Sequence, residues 1–170
     1  MDSQARLLRA FCALALLPLG GAAPLTVAPV QTATPPLMWQ QADAIRILCV
    51  AGPATRADAR PLQEELCKTV RTLAADGAPV PVSRVAFGDP AVLEPGSVTL
   101  LVHASVQKDG DQRLVALDVR PFRPGGDHNA ILFGAAPRAV RIPGSGPGGD
   151  KLEAALAAAL AETLPWRQGR

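Results

Sequence analysis

Along residues 98–107, VTLLVHASVQ, apolar side chains fall at Val98, Leu100, Val102, Ala104 and Val106. A period of two over this length marks a half-buried strand. Residues 113–122, RLVALDVRPF, repeat the alternation at Val115, Leu117 and Val119. Between them stands Lys108-Asp109-Gly110-Asp111-Gln112, and Asp-Gly between two alternating runs predicts a β-hairpin. Residues 44–51, AIRILCVA, put Ile45, Ile47, Cys49 and Ala51 on one face, with Arg46, Leu48 and Val50 on the other. Both faces are mostly apolar, so this segment reads as a central strand with cover on both sides. VPVSRVAF (80–87) and AILF (130–133) with RAVRI (138–142) supply the remaining strands, and 88–97 and 123–129 read as loops.

Two segments change to helical spacing. Within 58–76, Leu62, Leu66, Val70 and Leu73 form one stripe, with Asp58 as N-cap, Pro61 in the first turn and Gly77 as the stop. Glu64 and Lys68 stand four apart and are expected to pair. Cys67 falls on the shoulder of the stripe, within reach of Cys49 if the helix packs back on the first strand. Within 150–166, Leu152, Leu156, Leu160 and Leu164 recur every fourth position with alanine between them. Asp150 and Glu153 suggest a capping box at its start, and Pro165 ends it.

The element order is β-α-β-β-β-β-α. It predicts an α+β two-layer sandwich, a mixed four- to five-stranded sheet with two helices packed on one face. The first β-α-β is expected to be a parallel crossover. One domain is expected over 42–166. Residues 167–170 are expected to be a disordered C-terminus. Residues 23–41, APLTVAPVQTATPPLMWQQ, carry no period and almost no charge. They read as a linker or tail, with Leu37, Met38 and Trp39 as residues that could dock on the domain.

The first residues have a different character. Arg6 and Arg9 lead into an apolar run that ends at Leu19, and Gly20-Gly21-Ala22 follows. This is the layout of a secretory signal peptide over 1–22, cleaved before Ala23. The uninterrupted apolar stretch is 10–19, short of the roughly 20 residues a membrane span needs. An uncleaved anchor is the alternative. Lipoprotein attachment does not fit, because Cys12 lies inside the apolar run rather than behind the small residues. Cleavage would remove Cys12 and leave Cys49 and Cys67. An exported chain with an even pair is expected to join them. Two buried thiols or half of a metal site are the alternatives, and a C-x17-C spacing without a nearby histidine is a poor zinc pattern. The expected location is therefore periplasmic or secreted, with no stable membrane span once the signal is gone.

Composition narrows the function classes. Hydrophobic content of 48% and charge of 19% suit a folded domain. Aromatics are 4%, so the core must be built from Leu, Val, Ile and Ala. A net charge of +2, scattered rather than clustered, points to no nucleic-acid partner and no polybasic membrane contact.

The motifs are weak. Gly144-Ser145-Gly146-Pro147-Gly148-Gly149 fits G-x-G-x-x-G, but no strand follows the next helix and Asp150 would repel a phosphate. It reads as a flexible linker, and no cofactor is implied. His103 shares a strand face with Thr99, Leu101 and Ser105. His128 follows Asp127 in a Gly-rich loop, two ligands where a metal site needs three or four. Ser83, Ser97, Ser105 and Ser145 lie in no G-x-S-x-G elbow, and Glu94 and Asp118 have no marked context.

No motif assigns a family. The element order resembles small envelope domains, such as the N-terminal domain of the Tol-system propeller protein or auxiliary components of envelope transporters, a likeness of fold alone. The expectation is an exported, non-enzymatic binding or envelope-assembly module. Its partner would be another envelope protein, met through a sheet edge or an apolar patch. The alternative is a small hydrolase or metal-dependent enzyme using His103 or His128.

Overall fold

The computed structural model describes residues 36–52, 56–125 and 134–168. The segment expected to be a signal peptide, most of the expected linker, the AILF run and most of the His128 loop lie outside these residues. In chain order the elements are β1 (Ala44–Gly52), α1 (Arg56–Ala75), β2 (Val82–Arg84), β3 (Ser97–Asp109), β4 (Gln112–Phe122), β5 (Arg138–Pro143) and α2 (Gly149–Thr163). Short 3-10 turns occupy Leu37–Trp39, Pro90–Leu93 and Pro165–Arg167. The strands form one mixed sheet in the order β2-β1-β3-β4-β5. Strand β1 is parallel to both β2 and β3, and the β3–β4 and β4–β5 pairs are antiparallel. The α+β order expected from the sequence is the order observed, with both helices on one face.

That face follows from the alternation. Ile45, Ile47 and Cys49 of β1 point the same way as Leu100, Val102 and Ala104 of β3 and Val115, Leu117 and Val119 of β4. Onto them pack Leu62, Leu66, Cys67 and Val70 of α1 and Leu152, Leu156 and Leu160 of α2, with Leu164 just beyond it. Each such leucine contributes roughly 1.5–3 kcal/mol by leaving water. The hairpin closes through Gly110 and Asp111, and Asp109 pairs with Gln112. Gly110 takes φ 64°, the left-handed value this turn requires. Strand β5 ends by returning to that turn. Gly144 N–H donates to Asp111 O at 2.9 Å, and a Cβ on Gly144 would lie 2.3 Å from the same oxygen.

One end of the core is closed by the segments that precede β1 and follow α2. Trp39 and Trp166 meet edge to face with centroids 5.4 Å apart, and Trp166 Nε1 donates to Ala74 O. Arg123 grips the incoming backbone, donating to Gln40 O at 2.6 Å and Gln41 O at 3.1 Å. Met38 is buried, but Leu37 points outward. Arg167 bonds the last turn of α1 at Leu73 O and pairs with Asp76.

Several local expectations are corrected. Strand β2 is Val82–Arg84 rather than 80–87, because Pro79 and Pro81 have no N–H for a ladder. The cover expected on the second face of β1 is supplied by the β2–β3 connection, residues 85–96. With β1 parallel to both neighbours, α1 crosses on the core face and this connection crosses on the other. Thr99 Oγ1 donates to Val92 O, and Arg46 bonds Ser83 Oγ and Glu94 Oε2. Glu64 pairs with Arg60 rather than Lys68. Helix α2 begins at Gly149, so Glu153 lies too deep in the helix to close a capping box.

Candidate functional site

Cys49 and Cys67 are joined, with Cα atoms 5.7 Å apart. The bond ties the middle of β1 to the middle of α1, and each residue is 1% exposed. Cys67 lies within the core cluster rather than at its shoulder. Its burial removes it from redox work that needs an accessible thiolate. It acts as a staple between the sheet and its first helix.

On the opposite sheet face the register sets His103 directly across from Val50 on one side and Asp118 on the other. Ser105 lies two positions along the same face. His103 Nε2 and Ser105 Oγ each lie 3.9 Å from the position of a Cβ on Gly52. The three residue types of a hydrolytic relay are therefore neighbours. The relay itself is not formed. Asp118 Oδ2 is held by Arg120 Nε at 2.6 Å, and among the described residues His103 and Ser105 bond neither each other nor Asp118. A working nucleophile and base approach to about 2.6–3.2 Å. Among the described residues no group of three or more His, Cys, Asp or Glu side chains could hold a metal. His128 lies outside them.

The Gly-rich run 144–149 is not a flexible linker. Arg113 Nε donates to Pro143 O at 2.8 Å and its Nη2 to Gly146 O at 2.6 Å. Gly148 N–H, at the N-cap of α2, donates to both carboxylate oxygens of Glu65, each at 2.9 Å. Glu65 thus caps α2 from α1. In a dinucleotide fold a phosphate sits on the helix N-terminus; here the chain's own carboxylate occupies that position. Sequence reasoning passed over both residues. Arg113 had a visible signal, since it opens the apolar register 113-115-117-119 of β4 with a charge. Glu65 had none, because its partner is 83 positions away.

The other missed feature is the connection 85–96. Phe87 is 83% and Leu93 67% exposed, although the loop around them is fixed by its own hydrogen bonds. Asp89 accepts from Ala91 N–H, and Asp89, Val92 and Glu94 N–H groups close successive turns. An aromatic beside Gly88-Asp89-Pro90, a run of turn formers, is the sequence signal that could have found it.

Among the described residues no helix is long and apolar enough to cross a membrane. No family model matches the chain, and no curated protein matches it. Among solved structures, the PelC dodecamer from Paraburkholderia phytofirmans is similar at 9% identity and a TM-score of 0.40, covering 72% of this chain and 89% of that one. A point variant of the same dodecamer gives 11% identity, a TM-score of 0.41, and 72% and 90% coverage. Similarity of this size assigns neither function nor assembly.

Proposed function

We propose that this chain is an exported α+β domain that acts as a non-enzymatic docking module, presenting Phe87 and Leu93 to another envelope protein. The observation that carries the reading is the exposure of these two side chains, 83% and 67%, on a loop held by its own turns and by Thr99 and Arg46. Large apolar groups on a pre-ordered loop dock without a further ordering cost. Aromatic anchors of this kind carry much of the binding energy at protein interfaces. Export is supported by the basic-apolar-small layout of residues 1–22 and by the Cys49–Cys67 bond, which persists in oxidising compartments.

A photo-crosslinking residue placed at 87 or 93 in intact cells should give one discrete adduct with another envelope protein. The same residue at Arg71, exposed on α1, should give none. Phe87→Ser with Leu93→Ser should keep the thermal midpoint and remove the adduct captured from a neighbouring loop position. Adducts that are absent, or that form equally from position 71, refute the docking role. Intact mass of the native product should begin at Ala23. A cytosolic product retaining Met1, with both remaining sulfurs alkylatable, refutes export.

The enzymatic alternative rests on His103 lying opposite Asp118 with Ser105 beside it. It requires hydrolysis by the purified protein that His103→Ala abolishes.

A further inference from the structure

Two cations on the helix side of the sheet have no acidic partner among the described residues. Arg113 is 6% exposed, and no carboxylate among the described residues lies within ion-pair distance of it. Its Nε and Nη2 are satisfied by Pro143 O and Gly146 O, which leaves the Nη1 edge without a hydrogen bond among these residues. Lys68 is exposed, and its expected partner Glu64 is turned to Arg60. Both line one cavity of about 520 Å3, together with Pro61, Glu65, Ser145 and Gly146. A nearly buried guanidinium without a counter-ion is an unusual expense for a fold, and here it opens onto a space within the usual 300–1,000 Å3 range of ligand sites.

We propose that this cavity binds a small carboxylate ligand, held by the free edge of the Arg113 guanidinium and by Lys68, with Ser145 Oγ as a further donor. The charge of the lining selects the ligand. Arg113 and Lys68 bring two positive charges and Glu65 one negative, so the sum favours a monoanion. A phosphate dianion would meet the Glu65 carboxylate, which already takes the Gly148 N–H. A carboxylate is planar and matches the guanidinium edge. The volume leaves room for a body of monosaccharide or amino-acid size behind it. The inference is independent of the docking role, which uses the opposite face of the sheet.

The test is an amide-shift titration of the full chain with its Cys49–Cys67 bond intact. The probes are acetate, glucuronate, an N-acetylated amino acid and inorganic phosphate, each to about 50 mM, above the millimolar affinity expected of one carboxylate contact. The carboxylates should shift Ser145, Gly146 and Lys68 amides in a saturable way, and whichever of the sugar acid or the amino acid saturates first identifies the source. Lys68→Glu, at an exposed position, should weaken saturation at least about tenfold, since it replaces an attraction by a repulsion. Arg113→Lys keeps the charge but loses the planar edge and should also weaken it, with an unchanged circular-dichroism spectrum as the check on folding. Ser145→Ala, with no side-chain hydrogen bond among the described residues to lose, should give a smaller decrease. No saturable shift with any carboxylate, tighter binding of phosphate, or shifts that survive Lys68→Glu would each overturn the proposal.

Discussion

Replacing Cys49 and Cys67 together by alanine removes the covalent cross-link between β1 and α1. The bridge closes a loop with a sequence separation of 18. In the chain-entropy account such a closure restricts the unfolded chain enough to stabilise the fold by about 3 kcal/mol. Both sulfurs sit in the core cluster, so truncation adds a cavity term of up to about 1 kcal/mol. For a domain of this size, with a midpoint shift of roughly 3–4 °C per kcal/mol, the melting temperature should fall by about 10–15 °C. Thermal unfolding followed by circular dichroism reads this directly. Because each cysteine is 1% exposed, a reductant should reach the bond in the wild-type protein only through opening. The reduction rate in native buffer should be slow and should rise steeply with urea. A midpoint shift under about 3 °C, or rapid reduction without denaturant, would refute the view of this bond as a buried staple on the unfolded chain.

Leu156→Ala, at the centre of the α2 stripe and fully buried, should cost about 2–5 kcal/mol in urea titration; a loss under 1 kcal/mol would mean that α2 does not pack as described. Glu65→Ala leaves Gly148 N–H without its acceptor and should cost about 1–2 kcal/mol. Amide exchange should accelerate at Gly148 and through the first turn of α2 but not in β3, and unchanged exchange at Gly148 would contradict the latch.

Much of the fold is legible one segment at a time. The alternation at 98–107 and 113–122 identifies the hairpin and its buried face, because strand side chains point to opposite sides in turn whatever they pack against. The leucine stripes of α1 and α2 are legible for the same reason at the helical period. Capping and ion pairing were less so. Glu64 had Arg60 and Lys68 equally spaced on either side, and spacing alone does not choose between them. The capping box at Asp150 and Glu153 depended on Asp150 being the N-cap of α2, and the observed N-cap is Gly148, two residues earlier. Of the candidate site, the residue types on the His103 face could be read from the alternation. Whether they bond could not, because Asp118 has Arg120 two positions along its own strand and pairs with it.

By itself the sequence determined most of the segments that form strands and helices and which face of each is apolar. These are local properties, fixed by backbone period and side-chain chemistry. Only the tertiary structure decided that Glu65 caps a helix 83 residues later, that Arg113 is buried with no carboxylate partner among the described residues, and that Phe87 and Leu93 stand in solvent. The exposed loop depends on the placing of β1 between two parallel neighbours, which sends the 85–96 connection across the face opposite the helices. No periodicity within a segment carries the identity of its neighbour.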